Sequence, residues 1–526
     1  MEYISTKTLS TVDKYKYWAL FISFLLLYIW IASQIPYTHD DWDWGIKSGI
    51  DHLIKADVNN RYAGNFIVVL LTRSVVLKDI VMGVVFTLIP DMLSRITVTF
   101  FDRFGYSEEI CLRRIRIISF IVANIMILSL PVDVWRQTNG WVAGFSNFVV
   151  SGYALLAFYM FLLTMLKNNS SKMHSNYGKV LYYIIVVSFG IVIQLFLENI
   201  SIYFGIVSSM FLAYSAIKKR SSFYSAMALT TGTVIGLYIM FDNSIYQTLW
   251  DTGYAVGQYR RLMFSRDQHL YSIIYNALYR YVGEFIPQII SKHGLLVSVI
   301  SVLFSINGIK RIRKCVRGTV KYICYLCLCV LHTIYALYYV IRIIWEYPAQ
   351  IHVFIAVGDL LFVCLITFEI WLYYRIEKNR LILILSIWLS PFVIMIPMVV
   401  INTVGPRSYY TTYLCLSLLC LIIMGPIIAN MPIVFEQVVL IGLLGLCFLL
   451  SCHLTIIYSS IGSTNRERLI TIQQVRNENI DLITLAKYPH SEYLWIPDPG
   501  SSQYEHYFKE FYDIPDKTII RFEEKS

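Results

Sequence analysis

Charged residues are scarce in this sequence. Asp, Glu, Lys and Arg together make up 15% of its 526 residues, whereas 57% of the residues are hydrophobic. Soluble proteins carry about 25% charged residues, so the composition excludes an assembly of soluble domains. Apolar runs of roughly 17 residues or more recur along the chain, and each is long enough to cross about 30 Å of hydrocarbon. The composition therefore predicts an all-α polytopic membrane protein.

Cysteine is missing from the long loops that we predict on the outer side of the membrane. Nearly all of the ten cysteines lie in apolar runs or on the predicted inner side, which excludes a disulfide framework. Cys324, Cys327 and Cys329 have a spacing seen in metal sites. They lie within an apolar run that has no adjacent histidine, so we interpret them as packing residues. The sequence also lacks an internal repeat and a low-complexity segment.

The basic residues are unevenly placed, and their placement predicts a direction. A net charge of +10 would suit nucleic acid, but about half of the 44 Lys and Arg residues fall in short loops on one side of the predicted spans. The positive-inside rule assigns that side to the cytoplasm. We therefore predict about thirteen spans in the plasma membrane, a cytoplasmic N-terminus, an extracytoplasmic C-terminus and no nucleic-acid partner. The first apolar stretch has no cleavage pattern before or within it, so we expect a retained helix.

The composition changes after residue 458. Residues 1–458 are predicted to form the transmembrane module, with a first outer loop at about 36–78 that includes surface helices. Residues 459–526 are polar and predict a small α/β extracytoplasmic domain. Within it, helices are expected near 465–479 and 503–512, and strands near 482–485 and 518–522.

The first outer loop opens with an acidic motif, His39-Asp40-Asp41-Trp42-Asp43-Trp44-Gly45. Neighbouring carboxylates repel one another and raise the pKa of at least one of them, as a general base near neutral pH requires. We interpret Asp40 and Asp41 as catalytic candidates, with His39 and Asp43 as substrate-binding candidates. The alternative is an ordinary solvated loop.

Five further candidates lie near the predicted outer ends of spans. Arg61 and Arg407 would suit a donor phosphate, although headgroup contacts are the alternative for either arginine. Glu198 interrupts two apolar runs, where a carboxylate is costly, so it is a substrate-binding candidate or an ion-pair partner of an arginine. Trp141 and Asn147 would line an acceptor groove, with an aromatic belt as the alternative for the tryptophan.

These residues define a chemical requirement. No nucleotide sugars are supplied outside the membrane, so sugar transfer there needs a lipid-linked donor. Such transfer needs a carboxylate to deprotonate the acceptor hydroxyl and cations to hold the departing phosphate. Candidates for both tasks lie on the predicted outer face.

The sequence resembles the GT-C superfamily of polyprenyl-phosphate-sugar-dependent glycosyltransferases. The resemblance rests on Thr38-His39-Asp40-Asp41-Trp42, Arg61-Tyr62-Ala63-Gly64-Asn65, Trp141-Val142-Ala143-Gly144-Phe145-Ser146-Asn147-Phe148, Leu197-Glu198-Asn199 and Pro406-Arg407. It is closest to bacterial enzymes that decorate surface polysaccharides. It implies a GT-C-like bundle, an undecaprenyl-phosphate sugar donor, an aspartate base and inversion at the anomeric carbon. The acceptor would be wall polysaccharide, teichoic acid or a lipid-linked repeat unit. The W-W-D-[YW]-G block of oligosaccharyltransferases is missing, so no metal cofactor is favoured.

Two other functions are compatible with the sequence. A Wzy-like polymerase of lipid-linked polysaccharide would use paired arginines in an outer loop, such as Arg260-Arg261. A transporter or flippase of lipid-linked sugars would place charged residues along a central path, or interrupted helices in two related halves.

Overall fold

The computed structural model describes residues 2–104, 108–167, 176–253, 261–264, 268–344, 352–402, 404–478 and 480–523. The chain is 81% helical, which agrees with the predicted all-α class. The α-helices, in chain order, are α1 Glu2–Gln34, α2 Asp40–Gly45, α3 Lys47–Lys55, α4 Tyr62–Leu71, α5 Val75–Arg103, α6 Glu109–Leu128, α7 Val132–Thr138, α8 Val142–Gly144, α9 Val150–Lys167, α10 Asn176–Val192, α11 Glu198–Ile217, α12 Phe223–Phe241, α13 Ser244–Thr252, α14 Leu270–Arg280, α15 Ile286–Lys292, α16 Gly294–Ile312, α17 Val320–Ile344, α18 His352–Tyr374, α19 Lys378–Met395, α20 Tyr410–Ala429, α21 Ile433–Glu478 and α22 Ser502–Tyr512.

Shorter elements complete the chain. The strands are β1 Leu482–Ala486 and β2 Ile519–Glu523, the π-helical turns are Phe145–Val149 and Tyr281–Phe285, and the 3-10 turns are Ile396–Val400, Pro406–Tyr409 and Ser491–Tyr493. The chain forms two compact units. Unit 1 contains Met1–Met92, Ile127–Gln247 and Leu444–Ser526, and unit 2 contains Leu93–Met126 and Thr248–Leu443.

The apolar helices indicate a multi-pass membrane protein. Among the described residues, ten helices are long and apolar enough to cross a bilayer, or eleven if α6 and α7, bent by 89° at their break, count as one span. The other two of the thirteen predicted spans coincide with α5, which carries Pro90, Asp91 and Arg95 in its middle, and with the short α10. The total of thirteen stays a prediction.

Lipid is the natural solvent for the exposed apolar surface. Only 6% of the most apolar stretch of α21 is buried inside the chain, and Ile441, Phe448 and Leu449 are among its exposed side chains. A soluble protein rarely leaves so large an apolar surface in water. Contact with hydrocarbon explains this surface without further assumptions.

Small residues allow close helix packing in unit 1. A Cβ added to Gly232 on α12 would lie 2.3 Å from the carbonyl oxygen of Val187 on α10, and 3.1 Å from the Cα of Gly190. Backbones can approach this closely only where side chains are missing, which is a common solution between helices in membranes. The short helix α10 is therefore tightly packed against α12.

The polar tail begins as a continuation of α21, which runs past residue 458 without a break. β1 and β2 pair in parallel, with Leu482 opposite Ile519, and α22 belongs to the connection that parallel pairing requires. Arg468 on α21 donates to the carbonyl oxygen of Ala486 at 2.6 Å and to Asp498 at 2.6 Å. The helix and strands of the tail form where the sequence predicts them. The separation of residues 459–526 as a domain stays a prediction.

Candidate active site

The acidic motif follows α1 through a short turn that its own side chains hold. The indole N–H of Trp42 donates to the carbonyl oxygen of Tyr37 at 3.1 Å, and the Tyr37 hydroxyl donates to the carbonyl oxygen of Leu71 at 2.8 Å. His39 has a positive φ of 51° with ψ −121°, a backbone conformation that is uncommon for a residue with a side chain. This turn starts α2 immediately at Asp40, so that the two adjacent aspartates point in different directions from one helical turn.

Asp41 is directed into the protein and is completely buried. Its carboxylate accepts hydrogen bonds from the backbone N–H groups of Thr38 at 3.0 Å and Ala143 at 2.8 Å, with a longer contact to the N–H of Val142 at 3.4 Å. The last two belong to α8, so one buried carboxylate joins the first loop to the predicted second loop. Burial raises the pKa of Asp41 to about 7, although the backbone N–H donors oppose that change.

The raised pKa of Asp41 predicts a pH-dependent stability. Folding favours the protonated carboxyl, so stability is greatest at low pH and falls as the pH rises from about 4 through 7. Between pH 5 and 8 the loss should be about 3 kcal/mol. Unfolding of wild type and Asp41→Asn in detergent micelles at both pH values measures it. The difference between the two proteins should change by that amount, and an unchanged difference would contradict the assignment.

Asp40 is the accessible member of the pair. Its side chain is 36% exposed, whereas that of Asp41 is fully buried. His39 Nδ1 lies 2.8 Å from one Asp40 carboxylate oxygen, and the Tyr504 hydroxyl donates to the same oxygen at 2.9 Å. Burial, followed by the charge of Asp40, raises the pKa of Tyr504 above its usual range. The phenol therefore keeps its proton and remains a donor at neutral pH.

Aromatic rings surround His39 beside Asp40. The His39 ring stacks on Tyr504 at 4.4 Å between centroids, and it lies 6.0 Å from Trp141 and 6.1 Å from Trp495. Trp141 is buried in a small apolar cluster with Trp44, Val68, Val69 and Ala143. The predicted acceptor-groove residue Trp141 and the substrate-binding candidate His39 therefore lie together beside the accessible carboxylate.

Asp43 occupies a different position. It accepts a hydrogen bond from the Ser48 hydroxyl, and its carboxylate lies 3.3 Å from His52 Nε2. The other nitrogen of His52 contacts Asp57 at 2.6 Å. Burial raises the pKa of Asp43, and the Ser48 hydrogen bond opposes the rise. These contacts fasten α2 to α3, and a substrate-binding role for Asp43 stays a prediction.

Arg61 and Glu198 form one ion pair. Arg61 Nη2 lies 2.7 Å from a Glu198 carboxylate oxygen, its Nε also donates to Glu198 at 3.2 Å, and the Tyr246 hydroxyl donates to Glu198 at 2.7 Å. The exposed fractions of the two charged side chains are 14% and 17%. The sequence did not identify which arginine would pair with Glu198. The structure shows that it is Arg61, the residue predicted to hold the donor phosphate.

Breaking the Arg61–Glu198 pair should destabilise the protein. Arg61→Met would leave a mostly buried carboxylate uncompensated, with a cost of about 3 kcal/mol, at the low end for buried pairs because both side chains keep some exposure. The double variant Arg61→Met/Glu198→Gln should lose less than the sum of the single variants. Unfolding in detergent measures all three, with exposed Lys55→Met as a control within about 0.5 kcal/mol of wild type. Strict additivity would refute the pairing.

Asn147 lies in the π-helical turn Phe145–Val149, a type of turn that is frequent at functional sites. Its side-chain N–H donates to the carbonyl oxygen of Ala143 at 3.1 Å, and its Oδ1 would lie 2.3 Å from a Cβ added to Gly64. Gly64 therefore allows α4 to approach the turn that carries Asn147. The segments 61–65 and 141–148, which both contribute to the sequence resemblance, therefore lie together. They meet at the contact between Gly64 and Asn147 and at α8.

The remaining predictions lie elsewhere. Arg407 is half-buried in the 3-10 turn Pro406–Tyr409 of unit 2. Arg260 lies outside the described residues, so the arginine pair of the polymerase alternative has no structural description. Within the described part of the chain, no group of three or more His, Cys, Asp or Glu side chains is arranged to hold a metal ion.

The sequence assigns no role to three residues that the structure places at the site. Tyr504 and Trp495 come from the tail, and Tyr504 is 464 residues from its partner Asp40. Lys78 is buried beside the turn that precedes the motif. Its Nζ lies 2.5 Å from the carbonyl oxygen of Ile35 and 3.2 Å from Asp79. Only the aromatic richness of the tail could have pointed to Tyr504 and Trp495, and no local pattern links them to the acidic motif.

The chain matches no protein-family model, and neither a curated protein nor a solved structure shows significant similarity to it. The fold and the site define a multi-pass membrane protein in which one buried and one accessible aspartate lie side by side. Any narrower assignment therefore depends on the chemistry of this pair.

Proposed function

We propose that the protein is a membrane glycosyltransferase that moves a sugar from a polyprenyl phosphate, such as undecaprenyl phosphate, to a hydroxyl group of a cell-surface glycan or lipid-linked acceptor. The observation that carries this proposal is the unequal pair Asp40–Asp41. Asp41 is a buried anchor, whereas Asp40 is accessible and already accepts a hydrogen bond from a hydroxyl group. A general base in sugar transfer needs the same access to an alcohol.

The proposed reaction inverts the anomeric carbon in one displacement. Asp40 takes the proton of the acceptor hydroxyl as the oxygen forms a bond to the anomeric carbon. The bond between that carbon and the phosphate oxygen breaks, and the polyprenyl phosphate leaves with the electron pair. Asp41 positions the base, because its backbone hydrogen bonds fix the first turn of α2. Asp40 later gives its proton to water.

Arg61 is the donor-side candidate in the same unit as the Asp40–Asp41 pair. It is proposed to hold the phosphate, as an arginine fork suits a phosphate diester. The phosphate-binding role of Arg407 stays a prediction of the sequence. Two of the Arg61 nitrogens donate to Glu198, so the phosphate would compete with that carboxylate or bind the rest of the guanidinium. The proposal places the site on the outer face of the plasma membrane, with thirteen spans, a cytoplasmic N-terminus and a C-terminal domain at residues 459–526.

A reconstitution experiment tests the proposed function. Purified full-length protein in nanodiscs is incubated with synthetic polyprenyl-phosphate hexoses labelled in the sugar, together with methyl glycosides as soluble acceptors. Mass spectrometry should detect a new disaccharide whose formation requires both substrates. Product that forms without protein, or an absence of product with a full panel of donor hexoses and surface glycan extracts, would reject a glycosyltransferase.

A transporter of lipid-linked sugars is the second candidate, because unit 2 contains pairs of ionisable side chains within its apolar helices. His332 and Glu369 are both fully buried in contact with each other, and Arg342 lies 2.7 Å from buried Asp359. Ionisable groups in such helices often mark a transport path. A transporter would move labelled carrier lipid across proteoliposomes without a new glycosidic bond, so the two assays separate the candidates.

A further inference from the structure

The side chain of Tyr504 has an unusual combination of contacts. Its hydroxyl donates to Asp40 at 2.9 Å, while its ring stacks on His39 at 4.4 Å with an interplanar angle of 30°. A six-membered ring thus stacks on one aromatic ring and presents a hydroxyl group to the proposed base. An acceptor sugar would make the same two contacts, because sugar rings stack on aromatic faces and the base must reach the alcohol proton.

We infer that Tyr504 occupies the acceptor sugar site, and that a pyranose ring bearing the reactive hydroxyl replaces it there. The inference rests on the proposed function, since it takes Asp40 as the base. The tail therefore has two roles. Its Trp495 contributes to the acceptor site, and its Tyr504 competes with the acceptor for that site. The ligand class is a hexopyranoside whose ring stacks on His39.

The way α22 is attached explains how Tyr504 can leave. The second half of the helix is anchored by Phe508, whose ring meets Trp42 edge-on at 5.1 Å, and by Phe511, which contacts Tyr37 at 5.3 Å. Tyr504 lies in the first turn. In that turn the backbone N–H of Tyr504 donates a long N-cap hydrogen bond of 3.5 Å to the Ser501 hydroxyl, and helix ends fray more readily than helix centres.

Neighbouring aromatic residues define the rest of the sugar site. Trp495 is half-buried and lies 6.1 Å from both Trp141 and His39. The guanidinium of Arg136 lies 5.6 Å from the Trp495 ring centroid and supplies donors for sugar hydroxyls at the edge of this group. Withdrawal of Tyr504 leaves the His39 face and the Trp495 ring available to one sugar ring, with Asp40 at its hydroxyl.

Two measurements on the full-length protein in detergent-free nanodiscs test this inference. Hydrogen–deuterium exchange is followed with and without methyl β-glucoside and methyl β-galactoside. At least one glycoside should speed exchange in residues 502–506 and leave 508–512 unchanged. In the transfer assay, Tyr504→Phe should lower the acceptor KM about tenfold, the effect of one competing hydrogen bond to a charged group, with kcat within about twofold of wild type.

The matched control is Tyr507→Phe on the same helix. It removes a hydroxyl that accepts a hydrogen bond from the Gln503 side chain at 3.0 Å and has no contact with Asp40 among the hydrogen bonds described. It should leave the acceptor KM unchanged. Unchanged exchange with every glycoside, or a Tyr504→Phe variant that loses kcat at constant KM, would overturn the inference. Faster exchange without transfer in wild type would retain the sugar site and reject the glycosyltransferase instead.

Discussion

Replacing Asp40 with asparagine is expected to lower kcat for sugar transfer about 10²–10⁴-fold, the range for loss of a general base. The amide keeps an oxygen for Tyr504 and nearly the same volume, but it cannot take the acceptor proton. The side chain is 36% exposed and the substitution keeps its volume, so the unfolding temperature should stay within a few degrees of wild type. Initial rates with a labelled lipid-phosphate hexose give the measurement.

The matched controls are two other carboxylates of the same loop. Asp51 lies on α3, outside the motif, and Asp51→Asn should keep the wild-type rate. Asp41→Asn should mainly lower stability, because an amide nitrogen would face the backbone N–H donors that the carboxylate accepts. Full transfer activity in Asp40→Asn would remove the catalytic role, and the accessible aspartate would then be a solvated loop residue.

The sequence predicts the acidic motif but not which of its two adjacent aspartates is buried and which is accessible. Asp40 and Asp41 are chemically identical neighbours, and adjacent residues on a helix point about 100° apart. Which of them faces the interior depends on the turn at His39 and on the N–H groups of α8, roughly one hundred residues later in the chain. Repulsion between adjacent acids was the expected cause of a raised pKa. Burial is the larger cause for Asp41, and the charge of Asp40 contributes less.

Local patterns predict the elements of the tail well. The helix expected at 503–512 is observed as Ser502–Tyr512, and the strand expected at 482–485 is observed as Leu482–Ala486. Hydrophobic periodicity fixes such elements because it is a property of neighbouring residues. The contact between Tyr504 and Asp40 is not local, and neither are the pairing of Arg61 with Glu198 and the burial of Lys78. These contacts arise from tertiary packing, which no short motif encodes.

Breaking the buried pair His332–Glu369 in unit 2 should strongly lower the stability of the protein. His332 on α17 contacts Glu369 on α18, and the Tyr373 hydroxyl also donates to Glu369. The ring of Phe304 stacks on His332 at 5.3 Å, and no exposed surface remains on the side chain of His332 or Glu369. Removing one partner leaves the other polar group buried without it. His332→Leu should therefore destabilise the protein by about 3–5 kcal/mol.

The double variant His332→Leu/Glu369→Leu should recover most of that loss, because two apolar side chains remove the desolvation cost of both polar groups. Recovery should be incomplete, since the Tyr373 hydroxyl loses its acceptor. Reversible unfolding in mixed micelles measures each variant, with exposed His453→Leu on α21 as the matched control within about 0.5 kcal/mol of wild type. A double variant that is as unstable as the sum of the single variants would show that the two residues are not coupled.

A stable double variant that keeps sugar transfer but loses carrier movement would assign the pair to transport, because only a transport path requires these groups to remain ionisable.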